Sequence, residues 1–292
     1  QPDVIHLHSS KAGAIGRIAF DGKIPMFYTP HGYSFLMENY KPMKRKLFKL
    51  IESVCAKRNC TTISCSVGEN QETLKLTRRA IYVNNGINMS ELQEIIDKTE
   101  KVQHPFTVYT LGRICYQKNP TLFNAIAEAL PDIKFVWIGD GELREELKSK
   151  NIEITGWADR ATAIRYAVNA DVFLLPSRWE GLPISLLESM YMKKVCVVSN
   201  VIGNRDVIHN NENGFVCSDT EKFVKAIRKS QSGAERFTAQ AYQDVLEKYN
   251  TKAMAKQYSE KYDEAINIGG GVQHELIPYI LINDYVTAKA VA

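Results

Sequence analysis

The stretch that decides the fold runs over residues 177–190 and reads Ser177-Arg178-Trp179-Glu180-Gly181-Leu182-Pro183-Ile184-Ser185-Leu186-Leu187-Glu188-Ser189-Met190. The apolar run before it, residues 171–176, ends at a proline and predicts a buried strand. Apolar and small residues then recur at helical spacing from Leu182 to Met190, which predicts a helix. A strand therefore delivers a loop to a helix, with Glu180 in the loop and Glu188 inside the helix.

The loop in this stretch has the chemistry of an anion site. Pro183 suits the first turn of a helix, because its missing N–H would have no intrahelical partner there. The free amides around Gly181, Leu182 and Ile184 would point at an anion in front of the helix. The stretch therefore predicts a phosphate cradle with an acid on either side.

Glu180 and Glu188, with Gly-Leu-Pro after the first acid, resemble the signature of retaining glycosyltransferase family 4. Residues 111–120 are similar to the segment of that family that carries a basic pair, here Arg113 and Lys118. Residues 136–142 resemble its nucleotide-side loop. The three motifs follow the family's order, and the resemblance covers roughly residues 1–266.

This resemblance implies an α/β fold of the GT-B type, in which two Rossmann-like doubly wound domains face a cleft. It assigns residues 1–95 to a partial acceptor-side domain, residues 96–250 to the nucleotide-sugar (donor) domain and residues 251–266 to a crossover helix. Residues 267–292 form a tail of unknown role. Family members begin with a further strand and Gly-rich loop, so we expect the first domain to be incomplete.

The hydrophobic pattern supports the same fold class. Short apolar runs alternate with helical patterns along most of the chain, which is typical of parallel βαβ units. Residues 88–105 are rich in charge and break the alternation, and they predict the connection between two doubly wound domains.

Composition excludes several classes of protein. A chain of 292 residues with 24% charged and 45% hydrophobic residues is ordinary for a globular protein. It has no run of ~18 apolar residues and no secretory-type segment, so the cytoplasm is the default compartment. The six cysteines lack metal-ligand spacing and predict reduced core thiols. The net charge of +4 is too small to indicate nucleic acid.

The resemblance assigns Arg113 and Lys118 to the donor diphosphate. Charge that grows on a leaving phosphate can be stabilised by cations and helix-terminal amides. An arginine would bind it through paired hydrogen bonds and a lysine as a point charge. The alternative is two solvated loop residues.

The resemblance also separates the roles of the two acids. Glu188 would bind the ribose, with an exposed helical glutamate as the alternative, and Glu180 would position the donor sugar and act electrostatically in catalysis. His31 follows a strand end and resembles the histidine of the family that touches the donor sugar. Its alternative is a structural histidine. His6 and His8 alternate along a strand without a third ligand, and we predict that they are structural.

The family places Gly139, Asp140, Gly156 and Trp157 on the nucleobase side. Asp140 lies in an acidic motif that follows a strand and opens a predicted helix, where it serves equally well as a helix cap. We therefore predict no metal and no other cofactor, the nucleotide sugar being a substrate. Trp157 either stacks on the base or anchors the sheet edge.

The helix predicted from Lys41 to Asn59 is basic and amphipathic. It carries seven basic residues against the single acid Glu52. Such a helix can lie on anionic lipid. The alternative is a solvated basic face above a buried apolar stripe.

Together these features predict metal-independent, retaining transfer of a hexosyl or N-acetylhexosaminyl group from a nucleotide-diphosphate donor, UDP-sugar favoured. The acceptor would be a saccharide or lipid-linked saccharide in surface polysaccharide or glycolipid synthesis. We expect a protein in the cytoplasm, peripheral on the inner face of the membrane, without a nucleic-acid partner. The alternative is a non-catalytic donor-binding subunit, or a fragment that needs a partner chain. An epimerase or phosphorylase on the same fold is less favoured, because no lysine-aldimine cofactor signal is present.

Overall fold

The computed structural model describes residues 2–269, which fold around two parallel sheets. The first sheet has the order β1-β2-β3-β4, and its strands are β1 (Ile5–His8), β2 (Met26–Thr29), β3 (Thr61–Ser64) and β4 (Ala80–Tyr82). Its connecting helices are α1 (Ser10–Ala19), α2 (Pro42–Cys55) and α3 (Val67–Leu74). Helix α2 is shorter than the helix predicted from Lys41 to Asn59. It begins at a proline, which needs no N–H partner in the first turn.

A short helix, α4 (Met89–Asp97), connects this sheet to the second one. Asn88 caps it by accepting a hydrogen bond from the N–H of Glu91. Leu92 on α4 is buried in the core of the second sheet. The charged connection predicted at residues 88–105 is therefore helical in its first half.

The second sheet has the order β10-β9-β8-β5-β6-β7. Its strands are β5 (Thr107–Leu111), β6 (Lys134–Ile138), β7 (Ile152–Ile154), β8 (Val172–Leu175), β9 (Val195–Ser199) and β10 (Phe215–Cys217). Its helices are α5 (Pro120–Glu128), α6 (Arg160–Val168), α7 (Ile184–Tyr191), α8 (Asn204–Val207) and α9 (Thr220–Ser230). From β5 the chain adds β6 and β7 toward one edge of the sheet, and it then returns to add β8, β9 and β10 toward the other edge. Ligands of such sheets bind at this switch point between β5 and β8.

The interior strands β8 and β9 explain why apolar runs in the sequence predict strands. Every residue of β8 and β9 is buried, because helices cover both faces of the sheet. The helix predicted to follow the acidic motif of Asp140 is wrong, since only a short 3-10 turn forms at Arg144–Glu146.

Two further helices complete the described chain, α10 (Glu235–Lys248) and α11 (Thr251–Gly269). Helix α11 packs on the first sheet, and it runs three residues beyond the predicted end at residue 266. Its contact residues are Met254, Tyr258, Tyr262 and Ala265, which lie against Phe27, Ile63 and Val83. The rest of the predicted tail, residues 270–292, lies outside the described residues.

The chain passes between the two sheets at two adjacent points. The N–H of Ile87 donates to the carbonyl oxygen of Tyr249, and the N–H of Thr251 donates to the carbonyl oxygen of Ile87, both at 3.0 Å. Gly86 lies so close to the second crossing that a Cβ on it would be 2.3 Å from the carbonyl oxygen of Asn250. Over residues 2–269 no helix combines the length and the apolar character that crossing a membrane requires.

Candidate active-site cleft

A cavity of about 820 Å³ lies between the two sheets, and residues from both line it. It opens where β5 and β8 end, which is the switch point of the second sheet. The predicted site residues that line it are His31, Lys118, Glu180, Gly181, Leu182, Ile184 and Glu188. Arg113, Gly139, Asp140, Gly156 and Trp157 are outside this lining.

Glu180 is held by residues that follow β5. Its Oε1 accepts a hydrogen bond from Lys118 Nζ at 2.7 Å, and its Oε2 accepts one from Gln117 Nε2 at 3.3 Å. The Glu180 side chain is only 6% exposed. The loop behind Lys118 is fixed because Asn119 Nδ2 donates to the carbonyl oxygen of Pro176. The ends of β5 and β8 thus form one polar unit.

Arg113 is placed differently from Lys118, although the sequence groups the two. Its guanidinium is mostly exposed, and Nε donates to Glu142 Oε2 at 2.9 Å. It therefore lies outside the cavity in a solvated ion pair. Moving it onto a diphosphate would require exchange of that partner.

Glu188 is buried on α7, and its side chain is only 5% exposed. The alternative of an ordinary exposed helical glutamate is therefore wrong. Arg160 Nη1 donates to Glu188 Oε1 at 2.6 Å. Burial raises the pKa of Glu188, and the charge of Arg160 and its hydrogen bond oppose that rise.

Arg160 is a site residue that sequence reasoning missed. It is the first residue of α6, directly after the helix-capping Asp159. That position looks like any charged helix start, and a contact with a residue 28 positions later leaves no local pattern.

The glycine of the phosphate-cradle loop, Gly181, lies against residues that follow the strands of the first sheet. A Cβ on Gly181 would lie 3.1 Å from Cys65 Sγ and 3.2 Å from the backbone nitrogen of Gly32. The next residue is also tied across the cleft, because Asn85 Nδ2 donates to the carbonyl oxygen of Leu182 at 2.9 Å. A side chain at position 181 would therefore push the halves apart.

On the opposite wall, His31 has a left-handed backbone with φ of 53°. Its conformation is held through Gly32, whose N–H donates to the buried carboxylate of Glu69 at 2.6 Å. Such backbone strain often occurs at functional sites.

The imidazole of His31 stands at the end of a row of three histidine side chains. Its Nε2 is 2.9 Å from Nδ1 of His8, and the His8 ring stacks on His6 with centroids 4.2 Å apart. Burial, with a smaller effect of the neighbouring His8, lowers the pKa of His31 to about 4. His6 bonds Tyr262 on α11 and Thr29 on β2. The cleft therefore presents a neutral imidazole near neutral pH.

The predicted nucleobase-side residues cluster beside the ends of β6 and β7. Gly139 and Gly156 form an antiparallel bridge, and a Cβ on Gly139 would lie 2.3 Å from the carbonyl oxygen of Gly112. The helix-cap alternative for Asp140 is wrong, because its side chain accepts the N–H of Gly141 and pairs with Arg144. Trp157 is 71% exposed, which is incompatible with anchoring the sheet edge.

Metal independence stays a prediction. Within residues 2–269, no three His, Cys, Asp or Glu side chains are placed to hold one metal ion.

Known proteins place this arrangement in a family. Residues 105–231 match the family model described as Glycosyl transferases group 1. This part of the chain therefore resembles a group 1 glycosyltransferase domain, and we call it the group 1 domain. It contains Lys118, Glu180 and Glu188.

Two curated relatives extend the likeness of this group 1 domain. The chain is 33% identical over 260 residues to the Escherichia coli UDP-Gal:alpha-D-GlcNAc-diphosphoundecaprenol alpha-1,3-galactosyltransferase, a match that covers 77% of this chain and 65% of that protein. It is 34% identical over 135 residues to a Campylobacter jejuni alpha-1,4-N-acetyl-D-galactosaminyltransferase, covering 41% of this chain and 37% of that protein.

Solved structures show the fold that contains the group 1 domain. Sucrose-phosphate synthase from Thermosynechococcus elongatus superposes with a TM-score of 0.79 at 16% identity, covering 91% of this chain and 74% of that one. Anabaena HepE in complex with UDP and glucose gives 0.74 at 15% identity, covering 89% and 77%. The GT-B prediction is therefore confirmed.

Proposed function

We propose that this protein transfers a sugar from a UDP-sugar to a saccharide or lipid-linked saccharide, with retention of configuration and without a metal ion. The group moved is a hexosyl or N-acetylhexosaminyl unit, used in surface polysaccharide or glycolipid synthesis. The observation that carries the proposal is the cavity in which Lys118, Glu180 and Glu188 of the group 1 domain face His31 across the cleft.

Each of these groups has a task in that reaction. Glu188 binds the ribose hydroxyls, and Lys118 with the amides near Gly181 holds the diphosphate. Arg113 reaches the same anion after leaving Glu142. Because positioned cations and amides stabilise the charge that develops on the leaving phosphate, they supply what a metal supplies in other transferases. Glu180 and the neutral His31 orient the donor sugar.

The nucleobase is proposed to lie toward the bridge between Gly139 and Gly156. Trp157 is exposed beside that bridge and offers a face for stacking.

The donor and acceptor classes come from the relatives. The E. coli relative is named for UDP-Gal and a diphosphoundecaprenol-linked acceptor, and the C. jejuni relative for an undecaprenol-linked acceptor. HepE is described with UDP and glucose. UDP occurs in the E. coli name and in the HepE description, and an undecaprenol-linked saccharide occurs in the E. coli and C. jejuni names.

We further propose that α2 rests on the anionic inner face of the cytoplasmic membrane, where such acceptors are held. The apolar residues of α2 do not form the buried stripe of the solvated-helix alternative, because five of them are exposed: Met43, Leu47, Leu50, Ile51 and Val54. Glu52, the acid of this helix, is buried and paired with Arg17 at 2.7 Å. The exposed surface of α2 is therefore apolar and basic, which suits an anionic lipid interface.

The decisive experiment measures transfer from labelled UDP-glucose, UDP-galactose, UDP-GlcNAc and UDP-GalNAc to GlcNAc-diphosphoundecaprenol, with and without EDTA. We expect one donor to be used, with an α-linked product by NMR and unchanged rates in EDTA. Glu188→Ala and Arg113→Ala should each lower turnover at least tenfold, while the exposed Glu221→Ala on α9 should not. Undiminished turnover in both site variants would sink the site assignment.

A second candidate is a donor-binding unit that transfers sugar only together with further polypeptide. It is motivated by the coverage, since this chain spans 65% of the length of its galactosyltransferase relative. Binding of UDP without turnover of any donor would favour this candidate.

A further inference from the structure

Three charged side chains form a continuous row along one wall of the cavity. Arg160 stands in the middle, with Nη1 2.6 Å from Glu188 Oε1 and Nε 2.9 Å from Glu91 Oε1. All three residues line the cavity. Glu188 is almost fully buried, whereas Glu91 is about half exposed, so the row runs from the interior to the solvent.

The backbone around Arg160 fixes where its guanidinium can reach. Asp159 caps α6 by accepting the N–H of Thr162 at 2.8 Å, so Arg160 stands at a defined first helical position. The anchor on its other side, Glu91, belongs to α4, which precedes the second sheet. Arg160 therefore joins α4, α6 and α7.

The consequence for Glu188 is chemical. A carboxylate that has lost most of its water stays ionised only when a nearby cation and hydrogen bonds replace that solvation. Glu91 adds a like charge that favours protonation, and the buried Tyr109, bonded to Ser189 at 2.7 Å, also interacts with Glu188. Arg160 supplies the favourable contacts, and it contacts only Oε1. Because an ionised carboxylate has about four lone-pair sites, acceptor capacity remains for two hydroxyl donors.

We propose that Arg160 is a positioning residue that keeps Glu188 ionised and aimed at the ribose hydroxyls of a nucleoside diphosphate. This inference rests on the proposed function, in which Glu188 binds the ribose. Arg160 acts through Glu188, and its loss leaves the diphosphate site around Lys118 in place.

The test compares the affinities of UDP and 2′,3′-dideoxy-UDP by isothermal titration. Wild-type protein should prefer UDP by about 10-fold to 100-fold, because hydrogen bonds to a charged group are lost with the hydroxyls. Arg160→Gln should bring the two affinities within about threefold, as Glu188→Gln should. The double variant should show no further loss, because both changes remove the same interaction.

Two variants control for structural damage. Glu94→Gln changes an exposed acid of α4 that pairs with Lys98 and does not line the cavity, so it should retain the wild-type preference for UDP. Arg160→Lys restores a cation without the two-sided geometry and should recover part of the preference. If Arg160→Gln does not fold, Arg160→Lys carries the test, and a full wild-type preference in that variant overturns the requirement for the arginine.

The pH dependence separates positioning from general weakening. Only ionised Glu188 accepts from both hydroxyls, so UDP affinity falls as pH falls through the pKa of that carboxyl. Arg160→Gln lacks the cation that opposes protonation of Glu188, so in this variant UDP affinity should begin to fall at a higher pH. A folded Arg160→Gln with the wild-type preference and pH profile overturns the inference. Wild-type protein that binds UDP without preferring the ribose overturns it too, whereas failure to bind UDP overturns the proposed function itself.

Discussion

Lys118 Nζ lies 2.7 Å from Glu180 Oε1, and the two side chains are 17% and 6% exposed. The ammonium that is proposed to meet the diphosphate is therefore already paired inside the cavity. Before the donor binds, the carboxylate of Glu180 holds the lysine extended in the cleft. A bound diphosphate would share this cation with Glu180.

We predict an asymmetric result when this pair is broken. Lys118→Met leaves a buried carboxylate without its cation and should lower the free energy of unfolding by about 3 kcal/mol. Glu180→Gln should cost less, because the Lys118 ammonium can reach water. The double variant should recover much of the stability but none of the UDP affinity. Urea denaturation and titration with UDP measure the two effects, and equal stability losses in the single variants would contradict this account.

The stacked histidines predict acid sensitivity. Burial lowers the pKa of His6 to about 3 and that of His31 to about 4, from the ordinary 6.5. Both are neutral when folded and protonate more readily when unfolded, so their stabilisation is present above pH 6.5 and is lost as pH falls toward 4. Each contributes a slope of about 1.4 kcal/mol per pH unit in that window. His6→Phe should flatten the slope, whereas the exposed His209→Gln should not, in denaturation measured between pH 4 and 7.

Gly203 and Gly233 form a matched pair for the phosphate-cradle loop. Both have positive φ, 83° and 79°, but a Cβ on Gly203 would lie 2.2 Å from the carbonyl oxygen of Gly181, while Gly233 has open space. Each alanine variant carries a similar backbone penalty of about 1 kcal/mol. Only Gly203→Ala should also displace the loop and weaken UDP binding at least tenfold. Equal UDP affinities in the two variants would show that the loop tolerates the contact.

The basic face of α2 predicts a lipid dependence. Replacing Lys44, Lys46 and Lys49 with glutamine should weaken binding to vesicles containing phosphatidylglycerol at least tenfold, at ~1 kcal/mol for each basic residue near the surface. The control replaces three exposed lysines on α9, Lys222, Lys225 and Lys229. Sedimentation with vesicles checks both variants, and wild-type binding that ignores the anionic lipid would remove the membrane proposal.

The strand, loop and helix around residues 177–190 were predictable because their signals are local. Apolar runs and helical spacing report the backbone directly, and the structure has β8 and α7 there. The partners of the two glutamates were not predictable, since Lys118 and Arg160 are distant in the sequence and no spacing encodes such contacts.

The surface of α2 shows a second limit. Its sequence is equally compatible with a buried and an exposed apolar stripe, and only the packing of α2 on its sheet decides which side chains face out. Similarly, the helix predicted after Asp140 forms only as a short 3-10 turn at Arg144–Glu146. Asp140 there accepts hydrogen bonds from the N–H of Gly141 and from Arg144 Nη1.

We expect the two adjacent crossings at Ile87 and Asn250 to act as a hinge when the cleft opens. Because the two crossing segments lie side by side, the parts of the protein around the two sheets could rotate about one short axis while the backbone hydrogen bonds between the segments persist. Such a rotation separates the facing walls most at points remote from the axis. It would admit and release a bulky nucleotide sugar without disturbing either core, so the rate of donor exchange should respond to bridging contacts such as that between Asn85 and Leu182.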